Sequence, residues 1–320
     1  MAGVSDVPMK QLVFRAAAKI NLNLDVLGRR ADGYHELFTT FQAIDLFDTL
    51  TFEKTGSGGI QIASNHPEFP TGPENLIYRV FAQAGRNTTE PINVRVTVDK
   101  RIPIAAGLGG GSADAAAALF AANALYSLSL TGSQLHDWAG EIGADVPFFL
   151  GNAQAEGRGR GDAITPVEFY ADYWLAVIKP AVGLSTAEVY RALDLGLTKR
   201  ESGVNFAGCR DREDFFSRLV RAQNALTAPV IRLCPEAGRA LRFLEEQGSV
   251  AARVTGSGPC VFGIFRDTPK LGELKRAFPT AEWQVFVCRP LAGQAAVGQE
   301  STDRQGADRG NHRSAHYSAG

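Results

Sequence analysis

Pro103-Ile104-Ala105-Ala106-Gly107-Leu108-Gly109-Gly110-Gly111-Ser112-Ala113 is the stretch on which the reading of this chain turns. An alternating apolar run, Ile92 to Val98, precedes it, and the alanine-rich run Ala113 to Leu125 follows. The order reads strand, glycine loop, helix. Glycines leave backbone N–H groups unshielded, and the helix dipole adds positive potential at that end, so the place suits a phosphate. A Walker loop would need Lys and then Ser or Thr after the last glycine, but Ser112-Ala113 stands there. A dinucleotide fingerprint would need a third glycine where Ser112 lies, in the first strand–helix unit of its domain. The alternative is a glycine-rich turn with Ser112 as helix cap.

Outward from the loop, Leu12 to Val26 and Phe38 to Phe52 read as strands and Leu76 to Gly85 as a helix. Gly56 to Gly59 and Pro67 to Pro73 are loops. Ser133 to Ile142 reads as a helix capped by Ser133. Asp172 to Lys179 is the strand expected to open a second domain. Helices are expected over Leu219 to Leu226 and Ala237 to Gln247, and strands over Ala251 to Val254 and Val261 to Phe265. From Ala292 the composition turns to Gly, Ser, Gln, Asp, Arg and His, which predicts a disordered tail, 292–320. The expected division is 1–168, 169–291 and that tail.

Three further segments carry chemistry. Lys19 lies in an apolar strand, Ala18-Lys19-Ile20-Asn21-Leu22, and must face either solvent or an anion. Asp145, in Gly143-Ala144-Asp145-Val146-Pro147, adjoins a very apolar run; it is either a turn or cap aspartate or a paired carboxylate in a site. Thr255-Gly256-Ser257-Gly258-Pro259 is either a hairpin turn or a loop that approaches a ligand closely.

With 320 residues, 45% of them hydrophobic, the chain can bury substantial cores. A formal net charge of −1 and a pI near 6.5 argue against a nucleic-acid or membrane-surface role driven by bulk charge. Cys209, Cys234, Cys260 and Cys288 are widely spaced, without zinc-ligand spacing, as expected for reduced thiols. No apolar run reaches membrane-span length and Met1 to Lys10 lacks a signal core, so a cytoplasmic protein is expected.

In this order, the glycine loop, Ala-Lys-Ile-Asn-Leu, Gly-Ala-Asp-Val-Pro and Thr-Gly-Ser-Gly-Pro resemble the GHMP small-molecule kinases over about residues 12–289. Gly28-Arg29-Arg30-Ala31-Asp32-Gly33-Tyr34-His35-Glu36 narrows the resemblance to the members whose substrate is a methylerythritol bearing a cytidine diphosphate. The resemblance implies a two-domain α+β fold, ribosomal-protein-S5-domain-2-like at the N-terminus and ferredoxin-like α/β at the C-terminus. It implies ATP with Mg2+ as cofactors, Mg2+ held largely by phosphate and water with no protein ligand assigned. Pro103, Ile104, Ala105, Ala106, Gly107, Leu108, Gly109, Gly110, Gly111, Ser112 and Ala113 match the ATP phosphate loop. Lys19 and Asp145 match the catalytic pair: Asp145 would accept the proton of the acceptor hydroxyl and Lys19 would offset charge on the phosphoryl group in flight. Tyr34 and Tyr190 match rings that sandwich the cytosine, and His35 would read its edge. Asn21 and Thr186 match polar positions near the methylerythritol and the phosphate path, while Gly256, Ser257 and Gly258 match a loop close to the substrate diphosphate. The rivals are the same fold acting on homoserine or mevalonate, and a catalytically silent cytidylate-binding protein. Oligomeric state is left open.

Overall fold

The computed structural model describes residues 11–151, 153–193, 203–269, 283–293 and 295–300. It contains two sheets. The larger begins with β1 (Gln11–Arg29) and β2 (His35–Lys54), two long antiparallel strands in register from Gln11 opposite Glu53 to Arg29 opposite His35. Bulges between Ala17 and Ala18, Asn21 and Asn23, and Val26 and Gly28 interrupt that register. β3 (Ile60–Ser64), β4 (Val94–Asp99), β5 (Gln154–Gly159), β6 (Ala163–Pro166) and β11 (Val297–Glu300) complete it. The order is β11-β1-β2-β4-β3, with β5 also on β2 and β6 on β5.

β4 shows the alternating burial of a one-sided strand, whereas β1 is buried almost without a break from Ala16 to Val26. Both faces of β1 are covered, so its sequence does not alternate. Ala16 and Ala17 pack in the N-terminal core, whereas Ala18, Ile20 and Leu22 pack with Tyr173, Phe206 and Phe215. The N-terminal core is closed by α1 (Leu76–Ala84), α2 (Gly110–Leu125), α3 (Gly132–Ile142) and α4 (Val146–Phe149). α2 is buried all round, as its alanines from Ala113 to Ala122 allow.

The second sheet holds β7 (Trp174–Lys179), β8 (Ala251–Val254), β9 (Val261–Phe265) and β10 (Gln284–Cys288), all antiparallel in the order β10-β7-β9-β8. Numbered along the chain this is 4-1-3-2, the ferredoxin-like order. Its helices include α5 (Thr186–Arg191), α6 (Arg212–Arg221), α7 (Thr227–Leu233) and α8 (Pro235–Glu246).

Several expectations are corrected. Ser112 does not cap α2: Gly109 does, in the left-handed region at φ 72°, and Ser112 lies one turn inside. Thr131, not Ser133, caps α3, through a capping box with Gln134. The helix expected over 219–226 ends at Arg221, because β1 captures the backbone beyond it: Leu24 N–H donates to Gln223 O at 2.8 Å, and Ala225 N–H to Leu24 O at 2.8 Å. The disordered tail expected from Ala292 is overturned over its first residues. Ala296 and Val297 are buried, Ala17 N–H donates to Ala296 O at 3.0 Å, and β11 pairs with β1. An unpaired strand edge outweighed a polar composition. Residues 301–320 lie outside the described residues. The sequence signal also missed β3, β5 and β6, which are only five, six and four residues long.

Candidate active site

A cavity of about 1050 Å³ opens between the two sheets. The glycine loop lines it from Pro103 to Ser112, together with Lys19, Asn21, Tyr34, His35, Asp145, Thr186, Tyr190, Gly256, Ser257 and Gly258. Of the residues that the resemblance matched to ATP, catalytic or substrate roles, Ala113 alone is not on the cavity lining and packs in the N-terminal core.

Lys19 sits mid-strand in β1 with its side chain 3% exposed. Its ammonium lies 3.2 Å from Asp145 Oδ2 and donates to Asn21 Oδ1 at 2.9 Å. Asp145 precedes α4 without capping it, so its carboxylate is free of helix duty, and its side chain remains 34% exposed. The pair is asymmetric: a buried cation positioned against a carboxylate that reaches open space.

Asn21 is a structural knot. Its Oδ1 also accepts from Gly256 N–H at 2.8 Å, and its Nδ2 donates to Thr39 Oγ1 at 2.8 Å. Thr255 Oγ1 donates to Gly107 O at 3.2 Å, tying the small-residue loop to the glycine loop. That contact requires glycine: Gly107 has φ 75°, and a Cβ there would fall 2.3 Å from Thr255 O. A Cβ on Gly109 would meet Lys19 Cγ and Phe149 Cζ, each at 2.9 Å. Lys19 N–H donates to Leu108 O at 2.9 Å, which pins the loop to β1. Across the cleft, the Thr186 and Ser257 hydroxyls lie 2.8 Å apart.

At the mouth, the ring stacked on Tyr190 is His35, not Tyr34, with centroids 4.9 Å apart and planes at 23°. Tyr34 is 58% exposed, with the Arg160 guanidinium 5.3 Å from its ring centre. Burial, with the Arg29 charge behind it, lowers the His35 pKa, so the neutral imidazole prevails at pH 7. Burial and the charge of Asp145 push the Tyr190 phenol up.

Sequence reading missed a second charged group on the cavity wall. Lys100 bridges Asp48 and Asp114, with its Nζ 2.9 Å from Asp114 Oδ2. Burial, and Asp48 beside it, push the Asp114 carboxyl up to about 7 against the pull of Lys100. Lys100 and Asp114 flank the loop in sequence and offered a signal; Asp48 lies 52 residues before Lys100 and offered none. Arg29, Arg160, Phe69 and Asn75 line the cavity too. Among the described residues, no group of three or more His, Cys, Asp or Glu side chains comes together in a way that could hold a metal ion.

The family model for the GHMP kinases N terminal domain matches residues 75–152, and that for GHMP kinases C terminal matches 210–284. The chain is 40% identical over 271 residues to 4-diphosphocytidyl-2-C-methyl-D-erythritol kinase of Alkaliphilus metalliredigens, spanning 84% of this chain and 92% of that protein. It is 43% identical to the same kinase of Moorella thermoacetica, spanning 81% of this chain and 92% of the relative. A crystal structure of 4-(cytidine 5'-diphospho)-2C-methyl-D-erythritol kinase superposes with a TM-score of 0.70 at 33% identity, covering 89% of this chain and all of that one. The chain belongs to the 4-diphosphocytidyl-2-C-methyl-D-erythritol kinase family.

Within that family's superfamily the fold itself discriminates little. Homoserine kinase from Cytophaga hutchinsonii superposes with a TM-score of 0.71 at only 17% identity, over 94% of this chain and 99% of that one. The α+β architecture is thus common GHMP kinase property, and membership of the 4-diphosphocytidyl-2-C-methyl-D-erythritol kinases rests on sequence. No helix among the described residues is long and apolar enough to cross a membrane.

Proposed function

We propose that the protein transfers the γ-phosphoryl group of ATP to the 2-hydroxyl of 4-diphosphocytidyl-2-C-methyl-D-erythritol, yielding the 2-phosphate and ADP in the non-mevalonate supply of isoprenoid precursors. The observation that carries the reading is the Lys19–Asp145 pair at 3.2 Å beside the glycine loop, in one cavity with Tyr34, His35 and Tyr190. Phosphoryl transfer asks the protein mainly to align the reactants and stabilise charge.

In this reading the loop from Pro103 to Ser112 cradles the triphosphate with its amides, and the Ser112 hydroxyl meets a phosphoryl oxygen. Phe69, Pro70 and Leu76 give the nucleotide base an apolar wall. Asp145 accepts the acceptor hydroxyl's proton through the oxygen that faces the cavity. Lys19 commits N–H donors to Asn21 and Asp145, and a third remains for a phosphoryl oxygen. Asn21 acts through Lys19 as its anchor rather than touching substrate. Mg2+ bound with the nucleotide would supply neutralisation of triphosphate charge; the donor set fits an ion held chiefly by phosphate and water, because two of the cavity's carboxylates, Asp145 and Asp114, are each committed to a lysine. Gly256, Ser257 and Gly258 with Thr186 receive the substrate diphosphate. The cytosine takes the face of Tyr190 that His35 covers in this structure, and Tyr34 closes on the other side. The neutral His35 imidazole, one donor and one acceptor, suits the base edge.

An ATP-dependent transfer assay on three acceptors tests the reading: 4-diphosphocytidyl-2-C-methyl-D-erythritol, homoserine and mevalonate. Turnover is expected with the first alone. Comparable turnover of either other alcohol, or none with the first, overturns it.

A further inference from the structure

Lys100, Asp48 and Asp114 form a buried ionic bridge that the transfer step does not use. Their side chains are 3%, 0% and 1% exposed. Lys100 directly follows β4 and stands three residues before the glycine loop, and Asp114 lies just after the loop, in the first turns of α2. Asp48 belongs to β2, a strand of the sheet beneath. The other oxygen of Asp48, Oδ1, accepts from Arg101 N–H at 2.6 Å and Ile102 N–H at 2.9 Å. One carboxylate therefore holds the limb leading into the loop, and the ammonium it pairs with reaches across to the limb leading out. Gly110 makes that crossing possible, since a Cβ there would fall 2.9 Å from Lys100 Nζ.

We infer that this triad is a positioning clamp for the phosphate loop, setting the separation of its two limbs and hence the aim of its amides at the nucleotide triphosphate. The inference rests on the reading of residues 103–113 as the triphosphate cradle. Two physical arguments separate it from plain core stabilisation and from direct phosphate binding. Buried ion pairs contribute little net stability compared with apolar residues of similar volume, so their presence here calls for a geometric role. Lys100 is also paired with two carboxylates, and a group of one cation and two acids has no net positive charge with which to attract a triphosphate. The clamp acts through backbone geometry, and its loss falls on nucleotide affinity.

The test is steady-state kinetics of the full chain carrying Asp114→Ser, which cannot reach Lys100 and leaves a neutral Lys100–Asp48 pair behind. KM for ATP is expected to rise about tenfold or more, with kcat and KM for the cytidyl substrate within about twofold of the parent. Asp114→Asn, whose side-chain carbonyl still accepts from Lys100, is expected to recover most of the ATP affinity. An unchanged ATP KM in Asp114→Ser, an equal rise in both KM values, or no recovery by Asp114→Asn overturns the clamp. A measurement on the unsubstituted protein stands apart from any folding defect: hydrogen exchange at the Arg101 and Ile102 amides should be slowed at least about a hundredfold relative to an open loop. Exchange there at the rate of exposed peptide overturns it as well. Failure of the parent protein to use ATP at all would instead remove the reading of the cradle.

Discussion

The floor and the mouth of the cavity are built on opposite principles. At the floor, Lys19 is buried and held by Asn21 and Asp145, Asn21 is held in turn by Gly256 and Thr39, and Gly107 packs directly against Thr255. Every polar group has a fixed partner on β1, β2 or one of the two loops. At the mouth, Tyr34 stands exposed, His35 rests on Tyr190 from the other sheet's side, and Arg160 lies over Tyr34. Those contacts are ring stacks, worth little individually and free to slide. Charge development needs donors that do not reorganise, whereas recognition of a flat base needs surfaces that can part and close. The floor is therefore where small changes should be costly, and the mouth where they should be selective.

The largest expected effect lies at the floor. Asp145→Asn keeps the shape and an acceptor for Lys19 but loses the proton acceptor; kcat should fall on the order of a thousandfold with ATP binding retained, by single-turnover assay and nucleotide titration. Near-normal turnover would remove Asp145 from the reaction. Gly107→Ala should come next. It forces a side chain into the left-handed region and against Thr255 O, costing about 2–3 kcal/mol, readable as a lower denaturation midpoint together with a weakened ATP KM. A substitution tolerated without loss in either measurement would mean the two loops are not locked together. At the mouth, Tyr34→Ala should raise KM for the cytidyl substrate about fivefold to 150-fold, from about 1–3 kcal/mol of lost stacking, and leave that for ATP nearly unchanged. Equal effects on the two substrates would erase the contrast between the regions. The smallest effect is expected far from both: removing residues 295–320 strips Val297 and the β11 hydrogen bonds from β1, and should lower the melting temperature by about 3–6 °C. An unchanged melting temperature would show that the strand adds nothing.

The sequence was most informative where a local rule carries the function. Three successive glycines before an alanine-rich helix pointed to an anion cradle, and Lys19 in an apolar strand narrowed its surroundings to solvent or an anion. Local rules failed where a distant segment intervened. Ser112 looked like a cap, yet the close approach of Lys19 and Phe149 made Gly109 the turning point. The stacking of His35 on Tyr190 joins positions 155 residues apart, and no spacing encodes it.

The sequence by itself marked the glycine loop as a candidate phosphate cradle, its resemblance to the GHMP kinases matched Lys19 and Asp145 to a catalytic pair, and its segment around Tyr34 and His35 pointed to a base-bearing substrate. Such features are short, and backbone conformation plus charge specify them. Tertiary structure decided how they meet: that Asn21 serves Lys19, that Asp48 reaches Lys100 and through it Asp114, and that residues 297–300 close the edge of β1. The physical reason is that burial makes unpaired charges and open strand edges costly, and only the folded chain can supply the remote groups that satisfy them.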